Sequence, residues 1–206
     1  MESNQIHKAV KILQDGGVVI FPTDTVWGIG ASIDRLDAIK RLYSIKKRKE
    51  TKATAVLVDN LLTANRFGVI SQKAEELTDK FWPGGLTLIV KAKENTPGII
   101  CGKNRTIGLR QPNHSIALRL LEVIETGLVA ASANFAGQPA PKEREHIDQL
   151  LIDKADFILE GKSNGKQPST VLDTTVEPFK ILRQGEIDSK DFLSSYLPLD
   201  KQRGTP

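Results

Sequence analysis

Five short polar clusters hold most of the groups in this chain that could do chemistry. Thr23-Asp24-Thr25 sets a hydroxyl, a carboxylate and a second hydroxyl on consecutive residues, and Lys46-Lys47-Arg48-Lys49 with Lys52 is a dense cationic run. Arg110 closes the run Thr106-Ile107-Gly108-Leu109-Arg110, Ser132-Ala133-Asn134 follows an aliphatic run, and Ser169-Thr170 opens another. Each cluster lies where an apolar run of strand type starts or stops, the usual place for ligand contacts in an α/β protein. Gathered in one cleft they would supply hydroxyls, an amide and several cations, with little to act as an acid–base pair. That set suits a small anion with many oxygens, because Lys and Arg clamp phosphates while Ser, Thr and Asn read hydroxyls. Singly, each has a plainer reading: turn or cap for the Thr, Asp, Ser and Asn residues, a solvated helix end for the cations, a surface ion pair for Arg110 and Arg183.

The elements that must position these clusters alternate between helix and strand. Ile6, Ala9, Val10 and Leu13 predict a helix over 4–15, and Val18-Val19-Ile20-Phe21 predicts a strand that Pro22 ends. Asp34 can cap a second helix through Leu36, Ile39, Leu42 and Tyr43. Strands are expected at 55–58, 86–92, 106–110 and 128–131, with a helix from Ser71 to Phe81 and another marked by Ile116, Leu120 and Ile124. A helix near 143–153, strands at 157–159, 169–173 and 180–183 and a short helix around 189–196 complete the pattern, with a polar tail after it. In 106–110, Thr106, Gly108 and Arg110 share one face. Successive strands near the end point to a mixed sheet within a single α/β domain over 1–190, with 191–206 as tail.

Bulk properties narrow the class. At 206 residues, 39% hydrophobic and 26% charged, the chain has the composition of an ordinary globular protein. No apolar stretch reaches the roughly 18 residues of a membrane span and the first residues lack a signal-peptide pattern, so a cytoplasmic protein is expected. Cys101 is the single cysteine, and His7, His114 and His146 show no metal-ligand spacing. The net charge of +4 permits an anionic partner, nucleotide or RNA. Gly161-Lys162-Ser163 resembles the end of a P-loop, but Asp156 stands where glycine is required. Gly28-x-Gly30 has Ile33 where a third glycine belongs.

Read together, PTDTVWGIG, the Lys46-x-Arg48 spacing, WPGGLTLI, TIGLRQP, SANFAG, PSTVLD and ILRQGEI follow the order and spacing of the YrdC/Sua5 family, the threonylcarbamoyl-AMP synthases. The chain resembles that family over residues 5 to 188, and its length matches the short, stand-alone type. The resemblance implies a twisted open mixed sheet flanked by helices, with a concave basic cavity. It implies that L-threonine, bicarbonate and ATP, with Mg2+, give threonylcarbamoyl-AMP and pyrophosphate. A separate transfer complex would then use that product on adenosine 37 of tRNA, and direct tRNA binding is compatible with the charge.

Residue by residue, the resemblance puts Thr25, Arg110, Ser132 and Ser169 at threonine-binding positions, Arg110 facing the carboxylate. Lys46, Arg48 and Lys52 fall in the segment that grips ATP phosphates, Lys46 and Arg48 as the catalytic cations, and Thr106, Asn134, Lys142 and Arg183 at further nucleotide contacts. Lys49, Ala53 and Thr54 depart from the family's pattern after Arg48, and Leu57 stands where longer members tend to carry a histidine. Two other classes fit parts of the pattern: an RNA-binding module, poorly supplied with aromatics for base stacking, and a family paralogue with weak synthase activity.

Overall fold

The computed structural model describes residues 2–48, 53–165, 167–188 and 190–191. The expected helix at 189–196, the tail, Lys49 and Lys52 therefore lie mostly or wholly outside the described residues.

Helix α1 (Glu2–Gln14) leads through Gly16-Gly17 into β1 (Val19–Phe21). The next strand, β2 (Gly28–Ser32), is one that hydropathy alone does not announce, since glycine weakens a strand and offers no side chain to pack. Here the glycines are needed. A Cβ on Gly30 would lie 2.9 Å from the carbonyl oxygen of Val129, and one on Gly28 would lie 3.1 Å from the ring of Phe21. The Phe21 ring thus occupies the space that β2 leaves empty.

Helix α2 (Leu36–Ile45) buries Ala38, Ile39, Leu42, Tyr43 and Ile45, but Asp34 does not cap it. Arg35 stands at the cap without a side-chain bond, tied instead to Asp37 and the carbonyl of Gln14. After β3 (Ala55–Leu57) come α3 (Leu61–Phe67), capped by Asn60 accepting from the Thr63 amide at 2.8 Å, and the short β4 (Gly68–Val69). Ser71 caps α4 (Gln72–Phe81) as expected, and β5 (Leu86–Ala92), β6 (Thr106–Arg110), α5 (Ser115–Ile124) and β7 (Leu128–Ser132) follow. The helix expected over 143–153 is instead a 3-10 turn at Arg144–His146 and a short α6 (Gln149–Ile152). Asp148, accepting from the Leu150 amide at 2.9 Å, starts a new helix there and so interrupts the old one. Strands β8 (Phe157–Ile158), β9 (Thr170–Asp173) and β10 (Lys180–Arg183) close the described fold.

The ten strands among the described residues join one mixed sheet in the order β10-β9-β5-β6-β3-β7-β2-β1-β8, with β4 paired to β5. The pairs β1/β8, β3/β6 and β5/β9 are parallel and the others antiparallel. Period-two alternation sends Val56, Leu86, Leu88, Val90, Ile107, Leu109, Val129 and Leu172 into one core, under α2, α3 and α4. On the opposite face α1 and α5 pack over β1 and β7 through Ile6, Leu13, Phe21, Leu120, Leu121 and Leu128. That second layer stops short. Over β3, β6, β5 and β9 the same face carries Ala55, Thr87, Ile89, Gly108 and Val171, and these line a cavity of about 250 Å³.

Leu120 is fully buried between α5 and the sheet. Leu120→Ala is expected to lower unfolding stability by about 2–5 kcal/mol, the usual cost of a vacated leucine site, as measured by urea unfolding.

Candidate functional site

The cavity is built at strand ends. Arg110, at the end of β6, is 6% exposed, and three groups from two separate segments answer its N–H groups. Its Nε donates to the Gly84 carbonyl at 2.9 Å, Nη1 to Thr25 Oγ1 at 2.9 Å and Nη2 to Asp24 Oδ1 at 2.5 Å. Burial pulls this guanidinium below the ordinary arginine value, and Asp24 opposes that pull. The turn at Thr23–Thr25 is equally determined. Thr23 Oγ1 donates to the Val26 carbonyl at 2.7 Å and accepts the Thr25 amide at 3.1 Å; the Thr25 hydroxyl lies 3.0 Å away. With Thr23's proton committed, Thr25 donates to Thr23 and accepts from Arg110, which leaves one Thr25 lone pair for a ligand.

A second wall forms where β9 and β10 meet. Arg183 donates through Nε and Nη2 to the Ser169 carbonyl at 3.0 and 2.8 Å, and Nη2 also reaches Ser169 Oγ at 3.0 Å. Ser169 Oγ lies 2.8 Å from Thr87 Oγ1 on β5. Burial, and then the nearby charge of Arg110, lower the Arg183 value. Two cations that repel each other across a partly dry cavity leave a positive potential for an anion to satisfy.

The third wall carries Arg48 and Ser132. Arg48 Nη2 donates to the Ala53 carbonyl at 2.5 Å, and its guanidinium also bonds the Tyr43 hydroxyl, which accepts from Thr54 Oγ1 at 2.7 Å. Ser132 Oγ donates to Asn134 Oδ1 at 2.5 Å, and Asn134 Nδ2 donates to the Gln138 carbonyl at 2.6 Å. Thr25, Arg48, Arg110, Ser132, Ser169 and Arg183 all line the one cavity. No aspartate or glutamate stands among the described lining residues.

Lys46, Thr106, Asn134 and Lys142 are not among the lining residues. Thr106 Oγ1 turns to the Lys103 carbonyl at 3.1 Å, and Lys142 is exposed. Lys46 is 3% exposed, with Nζ bonded to the carbonyls of Ser132 and Asn134, and burial followed by the charge of Arg48 lowers its value from 10.5 to about 8.

Sequence reasoning passed over Thr87 and Ile89, although the alternation in LTLIVKA places both on the cavity face. It also left the loop Gly161–Gly165 as a failed P-loop. In the fold that loop braces the Thr23 turn: Ser163 Oγ donates to the Thr23 carbonyl at 2.8 Å and the Asn164 amide to the same oxygen at 3.3 Å. Gly165 presses on Thr25 so closely that a Cβ would lie 2.3 Å from its Cα.

The Sua5_yciO_yrdC family model, described as telomere recombination, matches residues 11–185. The chain belongs to the Sua5/YciO/YrdC family. It is 34% identical over 190 residues to a threonylcarbamoyl-AMP synthase of Pyrococcus abyssi, a match covering 90% of this chain and 55% of that one. The chain thus spans little more than half the length of that relative. The crystal structure of P. abyssi Sua5 complexed with L-threonine superposes with a TM-score of 0.87 at 33% identity, over 92% of this chain and 56% of Sua5. Escherichia coli YciO superposes at 0.85 with 28% identity, over 94% of both chains. The twisted open α/β sheet expected from the family is the fold observed. No helix among the described residues is long and apolar enough to cross a membrane.

Two predictions follow from this geometry. Gly165→Ala should push the 161–165 loop off the Thr23 turn and lower unfolding stability by about 1–3 kcal/mol, as measured by urea unfolding. The second concerns pH. Because Lys46 holds its proton less tightly in the fold than in the unfolded chain, the unfolded state binds more protons between pH 8 and 10.5. Stability must rise with pH across that window, by up to about 3 kcal/mol relative to Lys46→Met. Urea unfolding of the two proteins at pH 7.5 and 10 checks the sign.

Proposed function

We propose that the chain is an L-threonylcarbamoyladenylate synthase, joining L-threonine, bicarbonate and ATP to give threonylcarbamoyl-AMP and pyrophosphate. The observation that carries this reading is the lining itself. Three arginines and six hydroxyl residues line it, no carboxylate stands among the described lining residues, and the relative Sua5, of the same fold, is seen with L-threonine.

The reaction needs positioning and charge stabilisation more than a strong base. The amine nitrogen of threonine bonds to the carbon of carbon dioxide with loss of a proton, or to that of bicarbonate as the C–OH bond breaks and water leaves, forming a carbamate. A carbamate oxygen then attacks the α-phosphorus as the bond to the pyrophosphate oxygen breaks. Arg110, already oriented by Thr25, Asp24 and Gly84, takes the threonine carboxylate. Thr25, Ser132 and Ser169 offer hydroxyls to its polar groups, while Arg48 and Arg183 face the phosphates. The resemblance also assigns Thr106, Asn134, Lys142 and Lys52 to the nucleotide; the first three are not among the lining residues, and Lys52 falls outside the described residues. A magnesium ion bound by protein carboxylates does not fit this lining, whose donors are hydroxyls and guanidinium groups, so the cation would enter on ATP's own phosphate oxygens. The adenylate product is a mixed anhydride, suited to handing its threonylcarbamoyl group to tRNA through a separate transfer complex in the cytoplasm.

A second reading has one observation in its favour. E. coli YciO matches this chain over 94% of both lengths at 28% identity, so a YciO-like paralogue is the competing assignment.

Pyrophosphate release from ATP with magnesium, comparing L-threonine, L-serine and no amino acid with and without bicarbonate, separates the two. Release requiring both threonine and bicarbonate is expected, and its absence under every condition with ATP still bound assigns the chain to the paralogue. Arg48→Ala should slow the reaction at least about tenfold, or 1.4 kcal/mol of transition-state stabilisation; near-normal turnover removes Arg48 from the mechanism.

A further inference from the structure

We propose that Lys46 is a positioning residue, a strut that joins the end of α2 to the loop after β7, rather than a ligand of the phosphates. The inference rests on the cavity being the ATP and threonine site.

Two of the three N–H groups of the Lys46 ammonium are spent on main-chain carbonyls, those of Ser132 and Asn134, the latter at 2.7 Å. The link is doubled in the other direction, since the Ala136 amide donates to the Lys46 carbonyl at 3.0 Å. Lys47 packs over the ring of Phe135, with its Nζ 5.0 Å from the ring centroid, so four contacts stitch residues 46–47 to 132–136. Backbone direction completes the device. Lys47 has φ 51, in the left-handed region that a non-glycine residue enters only when its surroundings require it. The Arg48 amide then bonds the Tyr43 carbonyl at 2.9 Å, and Arg48 joins the cavity lining while Lys46 stays behind it.

The consequence is that one buried lysine aligns the two segments that make up the third wall of the cavity. Ser132 and Arg48 occupy fixed places relative to each other because Lys46 and Lys47 hold their segments together. Removing the strut should therefore loosen the threonine side and the phosphate side at once, whereas removing a phosphate ligand should weaken ATP alone.

The charge state gives an independent handle. With its value lowered to about 8, Lys46 loses its proton near pH 8, Arg48 being the charge that acts on it. A neutral amine keeps two N–H groups, enough for two carbonyls, so a strut survives deprotonation and a phosphate contact does not.

The test uses the intact protein, Lys46→Met and Lys46→Arg. Amide hydrogen exchange should show segment 133–138 exchanging at least tenfold faster in Lys46→Met while β5 and β6 keep their protection. ATP and L-threonine dissociation constants should both rise by comparable factors, and Lys46→Arg should restore neither, because the larger fork does not fit the buried site. ATP affinity of the unaltered protein should stay within twofold between pH 7.5 and 9.5. Unchanged exchange in 133–138, a loss confined to ATP, recovery in Lys46→Arg, or a tenfold fall in ATP affinity over that pH range would each overturn the strut. Should Lys46→Met fail to fold, the pH series on the unaltered protein decides. Should the protein bind neither ATP nor threonine, the proposed function fails and the exchange data alone judge Lys46.

Discussion

A guanidinium shut away from water must have its donors met, and the way Arg110 meets them constrains much of this protein. The turn after β1 supplies Thr25 and Asp24, the turn before β5 supplies the Gly84 carbonyl, and β6 carries the charge. An uncompensated buried charge is among the more damaging changes a fold can suffer, on the order of 3–5 kcal/mol. The three segments are therefore committed to one another. The 161–165 loop adds a brace from behind, pressing on Thr25 so that its hydroxyl stays aimed at Arg110. A ligand carboxylate arriving at this guanidinium finds it oriented beforehand, which is how binding avoids an ordering cost at the moment of contact.

The open face of the sheet is the second constraint. Alternation in β3, β5 and β6 sends most large aliphatic side chains to the α2–α4 side, and beside Leu57 and Ile89 the opposite face carries the small floor residues Ala55, Gly108 and Thr87. A Cβ at Gly108 would already come within 3.2 Å of Thr87 Cγ2 and 3.3 Å of the Ala55 Cβ, so even a methyl group there would make its neighbours shift. Helices α1 and α5 stop where this small-residue zone begins. The cavity is thus a consequence of where the second helical layer ends, and the three arginines stand around its rim and walls.

Much of this was legible in the sequence because it follows from short-range physics. Alternating runs became strands, Ser71 capped its helix, and polar clusters at strand ends converged as their positions implied. The family motifs carried the overall sheet. What was not legible depended on tertiary packing. Strand β2 hides behind glycines whose necessity appears only once the Phe21 ring and the Val129 carbonyl are seen beside them. The break near Asp148 is a local competition between continuing one helix and capping the next. The loop Gly161–Gly165 looked like an incomplete phosphate cradle, and its actual work, holding the Thr23 carbonyl, requires a contact across 140 positions. Nothing in a basic run distinguishes Lys46, buried among carbonyls, from Arg48, two residues on and facing the cavity.

The central claim is that the arginines divide the substrates between them, Arg110 holding the amino acid and Arg48 with Arg183 holding the phosphates. A crystal structure of this protein with L-threonine and a non-hydrolysable ATP analogue tests it directly. The account predicts a threonine carboxylate within hydrogen-bond distance of Arg110 and a phosphate chain between Arg48 and Arg183. Phosphates seated on Arg110, or either ligand bound outside the cavity, would contradict it.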